Sequence, residues 1–214
     1  MRRDFISNVS HELRTPLASI KALTETLRDS ALEDPPAARR FLDRMETEVD
    51  ALHLMVSELL ELSRIESGRV PLQLKPTRPV EIIRSACERL SLQAERAGLH
   101  FEVNCSESLP LVLADASRLQ QVVVNLVHNA IKFTPSDGRV VLSVQREAGN
   151  LVIVSVTDTG IGIPPSRLGE VFEPFHQLDS SSTRRFGGTG IGLSLVRQIV
   201  EAHGSMIEVI SVEG

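Results

Sequence analysis

The sequence predicts a multi-domain chain: an all-α helical hairpin that forms a dimeric four-helix bundle, followed by an α+β two-layer sandwich. Three observations carry this fold class. Apolar residues recur at helical spacing through roughly the first third of the chain, interrupted once by Asp34-Pro35-Pro36. Beyond that, short runs of alternating apolar residues take turns with helical ones, the pattern of helices laid on one face of a mixed sheet. Glycines then gather in pairs, at Gly160 and Gly162 and again at Gly190 and Gly192, beside these runs.

Residues 2 to 30 read as one amphipathic helix: at ~100° per residue, Phe5, Val9, Leu13, Pro16, Ile20, Leu23 and Leu27 fall on one stripe. Asp34-Pro35-Pro36 interrupts it as a turn, because proline lacks an N–H and restricts the residue before it. From 37 to 67 the apolar residues follow heptads, with Leu42, Val49 and Val56 in one register and Met45, Leu52 and Leu59 three residues later. Two antiparallel helices bury a single seam each, so a second copy is expected to complete the core, giving a homodimer. Gly68 ends this first domain, 1–68, and the proline-rich linker 69–78 leads through a short strand to the second domain, 79–214. That domain reads as helix (79–97), strand (99–104), strand (111–114), helix (115–133), strand (139–147), strand (150–158), a Gly-rich segment, helix (190–203) and strand (206–212). Glu147-Ala148-Gly149-Asn150 has hairpin-turn chemistry between the two long strands.

Composition narrows the function. The net charge of −5, with no Trp or Tyr, offers neither a basic phosphate-tracking surface nor a base-stacking platform, which argues against nucleic-acid binding. Cys87 and Cys105 have no metal-ligand spacing, so reduced thiols in a cytoplasmic setting and no zinc site are expected. No window approaches the ~20 apolar residues of a membrane span, and no signal-peptide core opens the chain.

The helical stripe has one chemical consequence. His11 projects almost opposite its centre and is expected to face solvent, Thr15 shares that outward face one turn on, and Glu12 sits at the stripe's edge. A lone exposed histidine is ordinarily a solvated surface residue; presented this way it is otherwise a nucleophile or a ligand in search of a partner. Three segments of the second domain give it a reaction partner. Asn125, Asn129 and Lys132 share one helical face, where two amides and an ammonium can hold Mg²⁺ and phosphate oxygens, although alone they read equally as a polar helix face. Asp158, at a strand end ahead of Gly160 and Gly162, can accept a hydrogen bond from an exocyclic amine, or it begins a plain turn. Gly187-Gly188-Thr189-Gly190-Ile191-Gly192 opens a helix and exposes backbone N–H groups to phosphate.

Together these residues resemble the catalytic core of a sensor histidine kinase of two-component signalling. Ser10-His11-Glu12-Leu13-Arg14-Thr15-Pro16-Leu17 is similar to the family's phosphoacceptor box. Asn125 to Lys132 resembles its asparagine box, Asp158 to Gly162 its first glycine box, Phe172-Glu173-Pro174-Phe175 its phenylalanine box, and Gly188 to Gly192 its second glycine box. The resemblance implies a Bergerat-type ATPase fold, shared with gyrase, a mismatch-repair ATPase and a heat-shock chaperone. Those relatives have a water-activating glutamate at the position matching Asn125, whereas an amide is a poor base, so ATP is expected to persist until His11 attacks it.

By the same resemblance, Asp158 would bind the adenine amine, Phe133 would line its pocket, Asn125 and Asn129 would organise Mg²⁺, and Lys132 would contact phosphate, with Gly160, Gly162, Gly188, Gly190 and Gly192 completing the ATP site. Residues 164 to 189 would form a lid set by Phe172 and Phe175. Glu12 would orient the His11 imidazole. The phosphoryl group would then pass to an aspartate of a response-regulator receiver domain, and Glu12-x-x-Thr15 also resembles the family's phosphatase signature. Pro16 would bend its helix just after His11. Gln177 departs from the pattern, standing where many relatives carry a lid arginine; Arg184 or Arg185 would supply that charge instead. Ser205 stands where the family usually has glycine. Relatives continue beyond the position of Gly214 into a final strand, so the last sheet position is expected to be empty here. The attachment of the parent protein to a membrane is left open, since many family members are anchored.

Overall fold

A computed structural model of the chain describes residues 2–28, 34–66, 72–106, 108–148, 151–174 and 190–213. Two long helices come first, α1 (Arg2–Thr26) and α2 (Pro35–Glu66). The coil widens at 27–28, and residues 29–30 of the expected first helix lie outside the described residues. Asp34 is the cap of α2: its side chain accepts the Ala37 N–H at 3.2 Å and its carbonyl the Ala38 N–H at 2.9 Å, with Pro35 and Pro36 in the first turn where missing N–H groups cost nothing. The helices pack antiparallel. Ser19 donates to Glu48 at 3.0 Å and Thr24 to Met45, a register that brings Leu13 level with Met55 and the backbone of His11 level with the turn around Val56. Met45, Leu52 and Leu59 are partly covered, while Leu42, Val49 and Val56 remain 52%, 51% and 44% exposed. One heptad register is therefore used within the chain and the other lies open. Pro16 is buried inside α1, which runs through it as one element.

The second part contains β1 (Lys75–Thr77), α3 (Pro79–Arg96), β2 (His100–Cys105), β3 (Val112–Ala114), α4 (Ala116–Phe133), β4 (Arg139–Glu147), β5 (Leu151–Asp158) and α5 (Gly192–Ala202). β1 and β3 pair antiparallel as a separate two-stranded ladder, while the main sheet has the order β2-β4-β5, parallel between β2 and β4 and antiparallel between β4 and β5. Alternation along β4 buries Val140, Leu142 and Val144 against Ile83, Ala86 and Leu90 of α3 and Val123, Val127 and Ile131 of α4. A second cluster joins Val122 of α4 to Leu195, Val196 and Ile199 of α5. This is the expected two-layer α+β sandwich.

One element needs correction. The expected strand at 206–212 does not form: residues 205–213 have no ladder, and Met206, Ile210 and Val212 are 78%, 92% and 84% exposed. Alternating apolar residues make a strand only when a neighbour supplies hydrogen bonds and a covered face. Ser211 instead accepts the Ile163 N–H at 2.8 Å, which ties the segment to the loop after β5. The expected helix stop at Gly68 and the hairpin turn at Gly149-Asn150 lie outside the described residues.

Candidate nucleotide and phosphoacceptor site

α4 carries Asn125, Asn129 and Lys132 of the candidate ATP site because its 3.6-residue period lets one stripe enter the core while another stays polar. Val123, Val127, Ala130 and Ile131 are buried; Asn125, Asn129 and Lys132 are only half-covered. Its N-terminus is fixed by Asp115, whose Oδ1 accepts the Arg118 N–H at 3.3 Å and the Ser117 hydroxyl at 2.7 Å, and whose Oδ2 accepts the Gln73 N–H at 3.0 Å. Burial of this carboxylate works to raise its pKa, but the hydrogen bonds outweigh it and hold the group below its ordinary 3.8.

The amide nitrogen of Asn125 is buried and has no hydrogen-bond partner among the described residues. Leaving such a donor unpaired costs about 1–3 kcal/mol in a protein, so it marks a place shaped for an acceptor from outside the chain. On its other side a side chain at Gly192 would stand 3.8 Å from the Asn125 Oδ1, which brings the glycine-flanked start of α5 against this amide. Buried Ser194 steadies that start by donating to the Ile191 carbonyl at 2.7 Å. Two turns along α4, the Lys132 ammonium lies 4.7 Å from the centroid of the Phe133 ring, and burial lowers its pKa. His128 lies on the exposed side of the helix, yet partial desolvation of its ring, followed by the Lys132 charge, lowers its pKa too. The donor set of two amides, an ammonium and glycine-flanked backbone fits a magnesium-bound polyphosphate.

Asp158 ends β5 opposite Val140. Its Oδ1 accepts the Gly160 N–H at 2.8 Å, and the Ile161 N–H donates to the Phe133 carbonyl at 3.2 Å, so the first glycine segment closes over the C-terminus of α4. A Cβ at residue 160 would fall 2.6 Å from the Asp158 Oδ1 and 2.7 Å from the Phe133 carbonyl oxygen, which only glycine avoids. Gly162 has φ of +69°, and a Cβ there would meet the Val212 carbonyl oxygen at 2.1 Å. Asp158, Phe133 and Gly160 are thus brought together at one end of α4, with Asn125, Gly190 and Gly192 towards the other.

His11, Glu12 and Thr15 lie on α1, with the Thr15 side chain exposed; the side chains of His11 and Glu12 lie outside the described residues, as do Phe175, Gln177, Arg184, Arg185 and Gly188. Phe172 is half-buried beside buried Val171. The sequence reading did not name the contact between the two parts. Ile191 is fully buried against Met55, with Leu13 and Leu59 around them, so the start of α5 touches the residue two places after His11. Arg118 pairs with Glu61 of α2, and Gln121 donates to the other Glu61 oxygen.

The comparisons with known proteins follow the same division. The family model of the His Kinase A (phospho-acceptor) domain matches residues 1–68. That of the histidine kinase-, DNA gyrase B- and HSP90-like ATPases matches residues 114–214. The circadian input-output histidine kinase CikA of Synechococcus elongatus is 37% identical over 217 residues, 99% of this chain and 28% of that protein. The sensor histidine kinase WalK of Bacillus subtilis is 35% identical over 214 residues, 100% of this chain and 35% of that protein. The chain therefore spans about a third or less of the length of these two curated relatives. Among solved structures, histidine kinase ThkA in complex with response regulator protein TrrA superposes with a TM-score of 0.76 at 27% identity, covering 94% of this chain and 55% of that one. No helix among the described residues is long and apolar enough to cross a membrane. With a phosphoacceptor hairpin and an ATPase sandwich matched in this order on one chain, the protein belongs to the sensor histidine kinases.

Proposed function

We propose that the chain is the catalytic core of an ATP-dependent protein-histidine kinase that phosphorylates His11 and passes the phosphoryl group to an aspartate of a response regulator. The observation that supports this most is the buried, unpartnered Asn125 amide beside Gly192, at the end of the ATPase domain that meets the hairpin two residues from His11. In this reading Asp158 accepts the adenine amine and Phe133 lines the ring's pocket. Asn125 and Asn129 would hold Mg²⁺ through amide oxygens, and the ion would neutralise charge between the phosphates. Lys132 takes a phosphate oxygen, which restores the full charge that burial disfavours. Gly188 to Gly192 offer backbone N–H groups, and Arg184 or Arg185 bring the lid's positive charge.

Neutral His11 attacks the γ-phosphorus in line through one ring nitrogen. A P–N bond forms, the bond to the bridging oxygen breaks, and ADP leaves, while Glu12 accepts a hydrogen bond from the other ring nitrogen and stabilises its positive charge. The receiver aspartate then takes the phosphoryl group from the histidine. Thr15, exposed one turn along α1, would place water for dephosphorylation of that regulator. The open stripe of Leu42, Val49 and Val56 supports assembly as a homodimer with a four-helix core. The test is incubation with γ-labelled ATP and Mg²⁺ beside a His11→Gln variant: acid-labile, base-stable label on the parent alone is expected, and absence of label from both overturns the kinase reading.

A further inference from the structure

We infer that Glu61, Arg118 and Gln121 form a clasp that positions the ATPase domain over the His11 turn of its own chain, so that phosphorylation proceeds within one subunit. The inference rests on the kinase reading above and adds to it both the positioning residues and the direction of transfer. On α4, Arg118, Gln121 and Asn125 are spaced by three and four residues and so share one face. The ion pair of Arg118 with Glu61 and the hydrogen bond from Gln121 to Glu61 turn that face towards α2. The two charged side chains retain only 22% and 19% exposure, so separating them would leave partly desolvated charges uncompensated.

A second contact stands at the level of His11. Ile191, adjoining Gly192 and through it Asn125, is buried against Met55, Leu13 and Leu59. In the antiparallel register, the backbone of His11 is level with the turn around Val56, between Met55 and Glu61 on α2. The apolar contact, which runs from Met55 to Leu59, therefore spans the level of the phosphoacceptor turn, the clasp lies just beyond it, and both lie on elements that carry or touch Asn125. Two separated contacts fix the orientation of one body on another where a single contact leaves it free to pivot. The proposed phosphate end of the nucleotide site is thereby held facing the same chain's His11 turn.

Two measurements test this on the full chain. In the first, Arg118→Glu and Glu61→Arg are each expected to slow autophosphorylation at saturating ATP tenfold or more, with the KM for ATP and the binding of a fluorescent ATP analogue unchanged. The double charge exchange is expected to recover most of the rate. Nucleotide binding confirms that each variant is folded, and a merely structural role would lower thermal stability or nucleotide affinity along with the rate, not the rate alone. Single variants as fast as the parent or faster, or an exchange no better than its parts, would overturn the clasp. In the second, tagged His11→Gln chains are mixed with Asn125→Asp chains and subunit exchange is verified by co-purification. Transfer within a subunit leaves the mixture unlabelled, while label on the Asn125→Asp chain would sink the proposal. If the parent itself takes no label, the kinase reading fails first and separately.

Discussion

The ring of His203 joins the two helices on either side of the nucleotide site: its Nε2 accepts the backbone N–H of Asp115 at 3.1 Å, while Nδ1 donates to the Ile199 carbonyl at 2.8 Å. The C-terminus of α5 is thereby fastened to the N-terminus of α4 across 88 residues of sequence. Replacing His203 by Ala leaves a partly buried N–H without its acceptor. We expect a loss of about 1–2 kcal/mol in global stability, read as a lower midpoint in urea with an unchanged slope. An unchanged midpoint would show that water replaces the ring.

Asp115 gives the acid side of the stability profile a defined origin. Its carboxyl lies below 3.8 when folded, so the unfolded chain binds the proton more readily. The associated stabilisation is present above the unfolded pKa and disappears as pH falls through the folded one. Asp115→Ala should cost about 1 kcal/mol at pH 7 as a lost helix cap. The gap between variant and parent should narrow once the pH drops below about 3.8; a gap constant from pH 6 to pH 2 would contradict this.

Gly160→Ala tests whether Asp158 must hold its observed place. The added methyl meets the Asp158 carboxylate and the Phe133 carbonyl, both under 3 Å, and it can be housed only by shifting one of them. Overpacking of this kind costs about 1–3 kcal/mol. Adenine-nucleotide affinity should fall at least tenfold by calorimetry, whereas binding of a receiver domain to the hairpin should be unaltered.

Val49→Glu combined with Val56→Glu places carboxylates on the open register of α2, beside the covered residues Met45 and Leu52 but on positions that the chain leaves exposed. If that stripe is the subunit interface, light scattering should report monomer at concentrations where the parent is dimeric, with helix content retained. Dimer of undiminished affinity would move the interface elsewhere.

The elements that were legible in the sequence are those in which one period dominates. The heptads of α2 and the alternation of β4 announce helix and strand because burial on one face enforces the spacing. The segment around Asp158 was legible for another reason: an apolar strand running into Asp-x-Gly-x-Gly leaves the carboxylate at a strand end with backbone close by. What escaped the reading depends on long-range partners. Met206 to Val212 alternates as well as β5 does, but no described segment pairs with it, and local pattern does not say whether a neighbour exists. Glu61, Arg118 and Gln121 looked like ordinary charged and polar surface, since nothing about a glutamate near the end of one helix names the arginine it will meet on another. His203 was likewise only a residue near a helix end until Asp115 came within reach.

Because β5 pairs with β4 along one side alone among the described residues, its amides divide into two populations. Those directed at β4 are locked in the ladder, and those between them point outwards. In deuterated solvent the strand from Leu151 to Asp158 should therefore take up label at every second residue, quickly and then slowly by turns, a sawtooth that vanishes as soon as any second strand docks there.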